Sequence, residues 1–262
     1  MEYSYCDLCA AKDRKEKYNF HKIHYVVDNG QKIHFANLKA VLAKMKESWV
    51  LRTGPHFHIG FGRVLGMSTR KGEVVFMKDI LDEAQSIMLQ KRRETRTTKD
   101  VHDEDAVADI LGISSILVQD LKERRNRDYK FNWEKCLNFK ADSGVFLQYA
   151  HARLNSLQLT CGTQLSNQVD YSLLQEQDAF KLVLHICRYD EVLRDTMQTF
   201  EPCIVVQYLF QLAHLSNQAH HELLVKGQPE ELAQARLLLF HCTQQVLANG
   251  LRLVGVPPLD KM

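Results

Sequence analysis

No uninterrupted apolar stretch in these 262 residues approaches the roughly 18–20 that crossing a bilayer requires. The N-terminus has neither the apolar core of a signal peptide nor the Arg/Ser-rich character of a transit segment. Insertion in a membrane is therefore not expected, and an organellar address would have to be carried by sequence outside this chain. An excess of one charge is also missing: 34 Lys+Arg stand against 32 Asp+Glu, a net charge of +2. That balance creates no global field for nucleic acid, so any polyanion site must be local. Low-complexity tracts and internal repeats are absent too. With 45% apolar and 25% charged residues the composition excludes disordered, collagen-like and fibrous classes.

The cysteines are seven, an odd number, at 6, 9, 136, 161, 187, 203 and 242, and most sit singly in apolar surroundings. This is the usage of a reduced compartment, not of a disulfide framework. A chain of this length makes one large domain or two smaller ones and buries about three quarters of its unfolded surface.

The first 80 residues alternate strand and helix signals. Ile23 to Val27 is a β-rich run closed by Asp28-Asn29-Gly30, and Phe35 to Met45 places Leu38, Val41, Leu42 and Met45 at helical spacing. Val74 to Phe76 reads as a short strand. Asp79 to Leu89 reads as a helix with Ile80, Leu81, Ala84, Ile87 and Met88 inward. Between 90 and 103 one apolar residue in fourteen remains, which marks a linker. From Glu104 onward four or five long helices are expected. Their stripes are Val107, Ile110, Leu111, Leu117 and Leu121, then Phe146, Tyr149, Ala150, Arg153, Leu154 and Leu157, then Leu182, Val183, Ile186, Val192 and Leu193. Pro202 and Pro229 fall where helices begin, and Asn249-Gly250 offers a left-handed stop to the last one.

Two clusters invite a chemical role. Cys6-x2-Cys9 followed by His21-x2-His24 approaches a zinc finger, but the second pair is one residue too close for both rings to face one ion, and packing or solvent exposure is the expected fate of all four. Gly66-Met67-Ser68-Thr69-Arg70-Lys71-Gly72 lies between β-like segments. Flanking glycines let such a loop fold over a ligand, and its Arg and Lys can meet charge developing on a triphosphate; a basic surface turn is the alternative.

Three long motifs carry a resemblance. His58-Ile-Gly-Phe-Gly-Arg-Val-Leu-Gly-Met-Ser-Thr-Arg-Lys-Gly72, Asp142-Ser-Gly-Val-Phe-Leu-Gln-Tyr-Ala-His-Ala-Arg153 and Ala235-Arg-Leu through Val246-Leu-Ala-Asn-Gly-Leu-Arg-Leu-Val-Gly255 resemble, in order, the arginyl-tRNA synthetases of class I, the fungal and animal-mitochondrial branch above all. The resemblance runs from about Tyr3 to Met262. It implies an α/β remnant of a Rossmann-type catalytic domain over residues 1–102, with the linker at about 90–103. An all-α helical anticodon-binding domain of the DALR type follows over 103–262.

The resemblance also implies roles. Met67, Ser68, Thr69, Arg70 and Lys71 stand where the class carries Lys-Met-Ser-Lys-Ser, a loop that binds ATP and stabilises the activation transition state. Tyr3, Asp7 and Gln31 fall at the arginine-binding places, where a carboxylate pairs bidentately with a guanidinium and discriminates against lysine. His34, with Ser68 and Arg70, is expected to border ATP. Phe146, Tyr149 and Arg153 match the anticodon side, where splayed bases stack on aromatic faces, although helix spacing alone places the two rings equally well in a core. Met262 matches a C-terminus that reaches the anticodon loop, and His220 departs from the family by standing where another aromatic ring is expected.

Arginine, its tRNA and ATP with Mg2+ are the implied substrates, with no tightly bound cofactor, no metal site and no membrane; a monomer in the mitochondrial matrix is expected, with the cytoplasm as alternative. The His-x-Gly-His signature of the class has no true counterpart. Thr53-Gly-Pro-His-Phe-His-Ile-Gly-Phe61 imitates it but ends on Phe61 and lies six residues before Met67. Most of the catalytic domain is therefore expected to be missing, which leaves a chain inactive alone or, alternatively, a stand-alone tRNA-binding or regulatory module.

Overall fold

The computed structural model describes residues 2–65, 76–95, 101–138 and 142–262, with the backbone alone for 2–4. The chain divides into two compact units, one of Met1–Gly66 with Arg125–Lys130 and one of Met67–Arg124 with Phe131–Met262.

The first unit is α/β. Helix α1 (Glu2–Tyr18) leads to strand β1 (Tyr25–Asp28), then helices α2 (Lys32–Lys44) and α3 (Ser48–Thr53) cross over to β2 (His58–Phe61), followed by β3 (Val64–Leu65). β1 and β2 pair in parallel, Tyr25 opposite His58 and Asp28 opposite Phe61, as a helical crossover requires. The strand starts two residues later than expected because the Ile23 N–H is taken by Thr53 Oγ1 at 3.3 Å, which diverts it from the ladder. The core gathers Ala11, Phe35, Leu38, Leu42, Trp49, Val50 and Phe57, and the Tyr25 ring packs 4.9 Å from Phe35 and 5.1 Å from Phe57.

The returning segment Arg125–Lys130 braces this unit. It supplies β4 (Tyr129–Lys130), parallel to β3. The Gly62 N–H donates to the Arg125 carbonyl at 2.8 Å, the Arg63 N–H to Asp128 Oδ1 at 2.7 Å and Asn29 Nδ2 to the Asn126 carbonyl at 3.0 Å. On its other side Arg63 meets Asp28 at 2.9 Å, and that guanidinium, with the Gly30 N–H, holds the Asp28 carboxyl below its usual range.

The second unit is helical. It comprises α4 (Met77–Glu94), α5 (Glu104–Leu121), the short α6 (Trp133–Cys136), α7 (Gly144–Thr160), α8 (Gln177–Cys187), α9 (Tyr189–Thr199), α10 (Cys203–Glu222) and α11 (Glu230–Leu253). Ile80, Ala84 and Met88 of α4 share a cluster with Ala108 and Leu111 of α5. The polar run at 90–103 therefore connects two helices of one unit, and α4 continues into it as far as Glu94, so the composition boundary near 102 does not coincide with the compact units. The expected strand at 74–76 falls on residues outside those described, apart from Phe76, which caps α4.

Differences from the expected helices have local causes. After Glu104 the described residues form six helices of eleven residues or more, against four or five expected. One reason is that the stripe running from Leu182 to Leu193 breaks at Arg188, so that Leu182 is buried in α8, Val192 in α9, and Val183 turns outward. α8 is locked to α10 by a reciprocal pair, His185 Nε2 donating to the Tyr208 carbonyl at 3.0 Å and the Tyr208 hydroxyl to the His185 carbonyl at 3.1 Å, with the rings stacked at 4.3 Å.

Pro202 and Pro229 do stand at the N-caps of α10 and α11. The end of α11 is later than expected. Gly250 lies inside the helix, where the lack of a side chain makes room for Leu209, and the left-handed turn falls to Gly255 at φ 83°. Gly144 serves a similar close approach, its α-carbon facing the Ser114 backbone where α7 crosses α5.

The last residues, Val256 to Met262, are strapped to α7 by side chains one and two turns apart. Gln148 accepts the Leu259 N–H at 2.8 Å and donates to the Pro257 carbonyl at 2.8 Å and to Ser114 Oγ at 3.0 Å. His151 Nδ1 donates to the Leu259 carbonyl at 2.8 Å, and Asn155 Nδ2 to the Asp260 carbonyl at 3.0 Å. A relay continues to α11, since Gln244 donates to Asn155 at 3.3 Å and Gln158 bonds both Gln244 and His241.

Burial depresses the His151 pKa below its ordinary 6.5, despite the hydrogen bond to Leu259 and the nearby charge of Asp260; Arg252 acts in the same direction as burial. The unfolded chain therefore binds this proton more readily than the folded one. The contribution of neutral His151 is complete above 6.5 and is lost as pH falls below it toward the folded value. Thermal melting between pH 7 and 5 is expected to show this loss, and His151→Gln, which keeps a donor for Leu259, is expected to make the fall shallower.

Candidate substrate pocket and nucleic-acid interface

In the first unit, helix α1 carries Tyr3 and Asp7, and the N-terminus of α2 carries Gln31 and His34. The fold joins two of these directly: His34 Nε2 donates to Asp7 Oδ2 at 2.7 Å, with the Asp7 side chain 44% exposed and that of His34 25%. Gln31 caps α2 and is exposed, three residues before His34 and hence one turn from it. The side chain of Tyr3 is outside those described. Phe35, buried beneath, holds the His34 ring edge-on at 5.1 Å and stacks on the His58 ring at 5.0 Å. The arrangement presents an accessible carboxylate, already oriented by an imidazole, which suits recognition of a cationic planar group.

His58, in the segment that imitates the missing signature, has a structural part: its Nε2 donates to the Val27 carbonyl at 3.0 Å, and the residues after it enter β2, not a helix. The loop residues Met67, Ser68, Thr69, Arg70 and Lys71 lie outside the described residues, between β3 and α4. Of the zinc-like cluster, Cys6 and Cys9 are exposed on α1 and His24 Nδ1 bonds the His56 carbonyl at 2.6 Å. Among the described residues there is no group of three or more His, Cys, Asp or Glu placed to hold a metal ion.

In the second unit, Ser143 starts α7 by accepting the Phe146 N–H at 3.2 Å, and the helix then presents its three expected residues to different environments. Phe146 is 9% exposed in the main core, its ring 4.8 Å from His214, which in turn donates to Asp142 at 2.7 Å. Tyr149 is 48% exposed. Arg153 reaches α10, donating to Asn217 Oδ1 at 3.3 Å and to His220 Nδ1 at 3.2 Å. Because a guanidinium only donates, His220 accepts at Nδ1 and is neutral there. Burial first, then the charges of Arg153 and His221, lowers its pKa.

Arg153 and His220 border a cavity of about 310 Å³ whose wall also includes Ser156, Thr160 and Lys226. Two cations, two hydroxyls and an imidazole beside apolar Leu157 and Leu224 suit a nucleotide, with base and phosphate contacts from one site. Ser156, Thr160 and Lys226 escaped the sequence reading, although Ser156 and Thr160 follow Arg153 at i+3 and i+7 on one face of α7. Met262 is partly buried against the cluster built from α4, α5 and α6.

A parallel α/β piece followed by a helical bundle, with a cavity bordered by Arg153, His220 and Lys226, is consistent with a class I aminoacyl-tRNA synthetase, and the class itself is given by the family models. Residues 1–133 match the family model for the catalytic domain of class I tRNA synthetases (R), and residues 147–262 match that for the DALR anticodon binding domain. The chain belongs to the arginyl-tRNA synthetase family. It is 42% identical over 260 residues to a human protein named probable arginine–tRNA ligase, mitochondrial, covering 99% of this chain and 44% of the relative. Over 261 residues it is 41% identical to the cytoplasmic arginine–tRNA ligase of Saccharomyces cerevisiae, covering 98% of this chain and 42% of the relative. The chain thus spans less than half the length of these relatives.

Among solved structures, the arginyl-tRNA synthetase of Plasmodium falciparum superposes with a TM-score of 0.81 at 25% identity, over 98% of this chain and 44% of that one. The Thermus thermophilus enzyme shares the fold at the same score, with 24% identity over 92% of this chain and 41% of that one.

The two rings of α7 separate in a stability measurement. Phe146→Ala is expected to cost about 3–5 kcal/mol in urea unfolding, as for a buried phenylalanine. Tyr149→Ala is expected to stay within about 0.5 kcal/mol of the parent, as surface changes do.

Proposed function

We propose that this chain is the tRNA-reading portion of an arginine–tRNA ligase and carries one side of its activation site. The observation that carries the proposal is the Arg153–His220 pair at the edge of a cavity that Lys226, Ser156 and Thr160 also line, with the exposed Tyr149 ring one turn away from Arg153 on the same helix. In this reading Tyr149 stacks on an anticodon base, and Arg153 and Lys226 meet its phosphates. Phe146 supports α7 from within, His220 shapes the cavity, and Met262 ends the terminal strap that reaches toward the anticodon loop.

On the other unit Tyr3, Asp7 and Gln31 hold the guanidinium and amino group of arginine, and His34, Ser68 and Arg70 border ATP supplied as its magnesium complex. Met67 to Lys71 stabilise the charge that develops as pyrophosphate leaves. The relatives' names include both mitochondrial and cytoplasmic proteins; the mitochondrial matrix is the proposed site of action, in line with the several mitochondrial relatives. The His-x-Gly-His half of the nucleotide fold has no counterpart in these residues, so the chain by itself binds tRNA without charging it.

Binding of purified chain to arginine tRNA, measured across a salt series, tests this. Affinity is expected to fall steeply with salt, and Arg153→Ala is expected to weaken binding and reduce the slope of log K against log salt by about one. Tyr149→Ala is expected to weaken binding by about 1–3 kcal/mol. An aminoacylation assay is expected to give no turnover with this chain alone. Absence of salt-sensitive tRNA binding would remove the proposal.

A further inference from the structure

The seven thiols are unequally placed. Cys136, Cys161 and Cys203 are buried, and burial pushes the Cys136 thiol up to about 12 and raises those of Cys203 and Cys242. Cys187 and Cys242 both line a narrow apolar cavity of about 220 Å³. Cys6 and Cys9 are exposed, as Cys187 and Cys242 also are, but they alone lie three residues apart on one helix, so that they share a face of α1. Between them lies Asp7, whose carboxylate is bonded by His34 of α2.

We propose that Cys6 and Cys9 form a reversible dithiol–disulfide site, with a low-molecular-weight disulfide such as glutathione disulfide as the oxidant. In the first step one thiolate, its proton released to water, attacks a sulfur of glutathione disulfide; a mixed disulfide forms and a glutathione thiolate leaves. In the second step the neighbouring thiolate attacks the protein sulfur of that mixed disulfide and expels the second glutathione. The two cysteines lose two electrons and two protons, and one glutathione disulfide becomes two glutathione thiols. Cβ atoms three residues apart on a helix stand about 5–6 Å from one another, whereas a disulfide holds them at about 3.5–4.5 Å. Ring closure therefore tightens this turn of α1 and displaces Asp7, which it encloses, relative to His34. A bond closed under that constraint, on an exposed face, is readily reduced again, as labile disulfides are. The site stands independently of the function proposed above.

The test equilibrates the full 262-residue chain with mixtures of oxidised and reduced glutathione, quenches with acid, alkylates the remaining thiols and maps them by peptide mass, while NMR follows the His34 ring. Expected is a loss of two hydrogens located to Cys6 and Cys9, reversal by reduced glutathione, and a changed His34 signal in the oxidised form. Cys6→Ser and Cys9→Ser are each expected to stop at a stable glutathione adduct, with the His34 signal close to that of the reduced chain. Three results would overturn the proposal: both thiols remaining open to alkylation, a bond forming between Cys187 and Cys242 in their place, or ring closure that leaves His34 unmoved.

Discussion

The side-chain amide of Gln148 is completely enclosed, yet each of its polar atoms has a partner, and those three partners come from two places: Ser114 on α5, and Pro257 and Leu259 in the terminal strap. A buried amide without such partners costs about 1–3 kcal/mol for each unsatisfied group, so this residue fixes where the strap can lie as well as holding it. The rest of the helical unit follows from that constraint. With the strap in place, Val256 joins the main core and Leu259 joins the cluster of α4, α5 and α6, so one short segment closes both apolar clusters. The opposite side of α7 is left to carry Tyr149 and Arg153.

A second constraint is the buried guanidinium of Arg236 on α11. It donates to the Leu224 carbonyl at 2.6 Å and pairs with Glu176; desolvation, the largest single influence, raises the Glu176 carboxyl, but the Arg236 bond and charge together with backbone hydrogen bonds at Glu176 and Gln175 hold it below its usual value. Arg236 thereby ties the end of α10 and the start of α8 to one helix. Removal of either partner from a buried pair leaves an uncompensated charge, so such a residue acts as a registry pin. The second motif arginine, Arg153, does the reverse: it spends its donors on Asn217 and His220 at the edge of a cavity, where an anionic ligand can compete for them.

Much of the helical half was legible because its signals are local. Proline at the N-caps of α10 and α11 and the apolar stripes of α4 and α7 depend on spacing alone. What was hidden depends on partners distant in sequence. Gly250 reads as a stop until Leu209 is seen against it. The boundary near 102 reads as a domain linker until the apolar faces of α4 and α5 are seen to meet, and the break at Arg188 carries no glycine or proline to announce it. The candidate site divides in the same way. Asp7 and His34 are 27 residues apart, and only the resemblance to a family marked both; the helix pairing that joins them is a tertiary fact. Phe146 and Tyr149 could not be separated by periodicity, since i and i+3 share a face, yet His214 covers one ring and solvent meets the other.

The return of Arg125–Lys130 to the α/β unit has a consequence for how this polypeptide can be divided. Neither unit is a single continuous stretch, since the first reclaims six residues from far downstream and the second is interrupted to supply them. A fragment ending at Gly66 would lack the strand that pairs with β3 and the carboxylate that anchors Arg63, and one beginning at Met67 would carry that strand with nothing to pair it. Strand exchange between separately expressed halves, not autonomous folding of each, is the behaviour this interleaved connectivity favours.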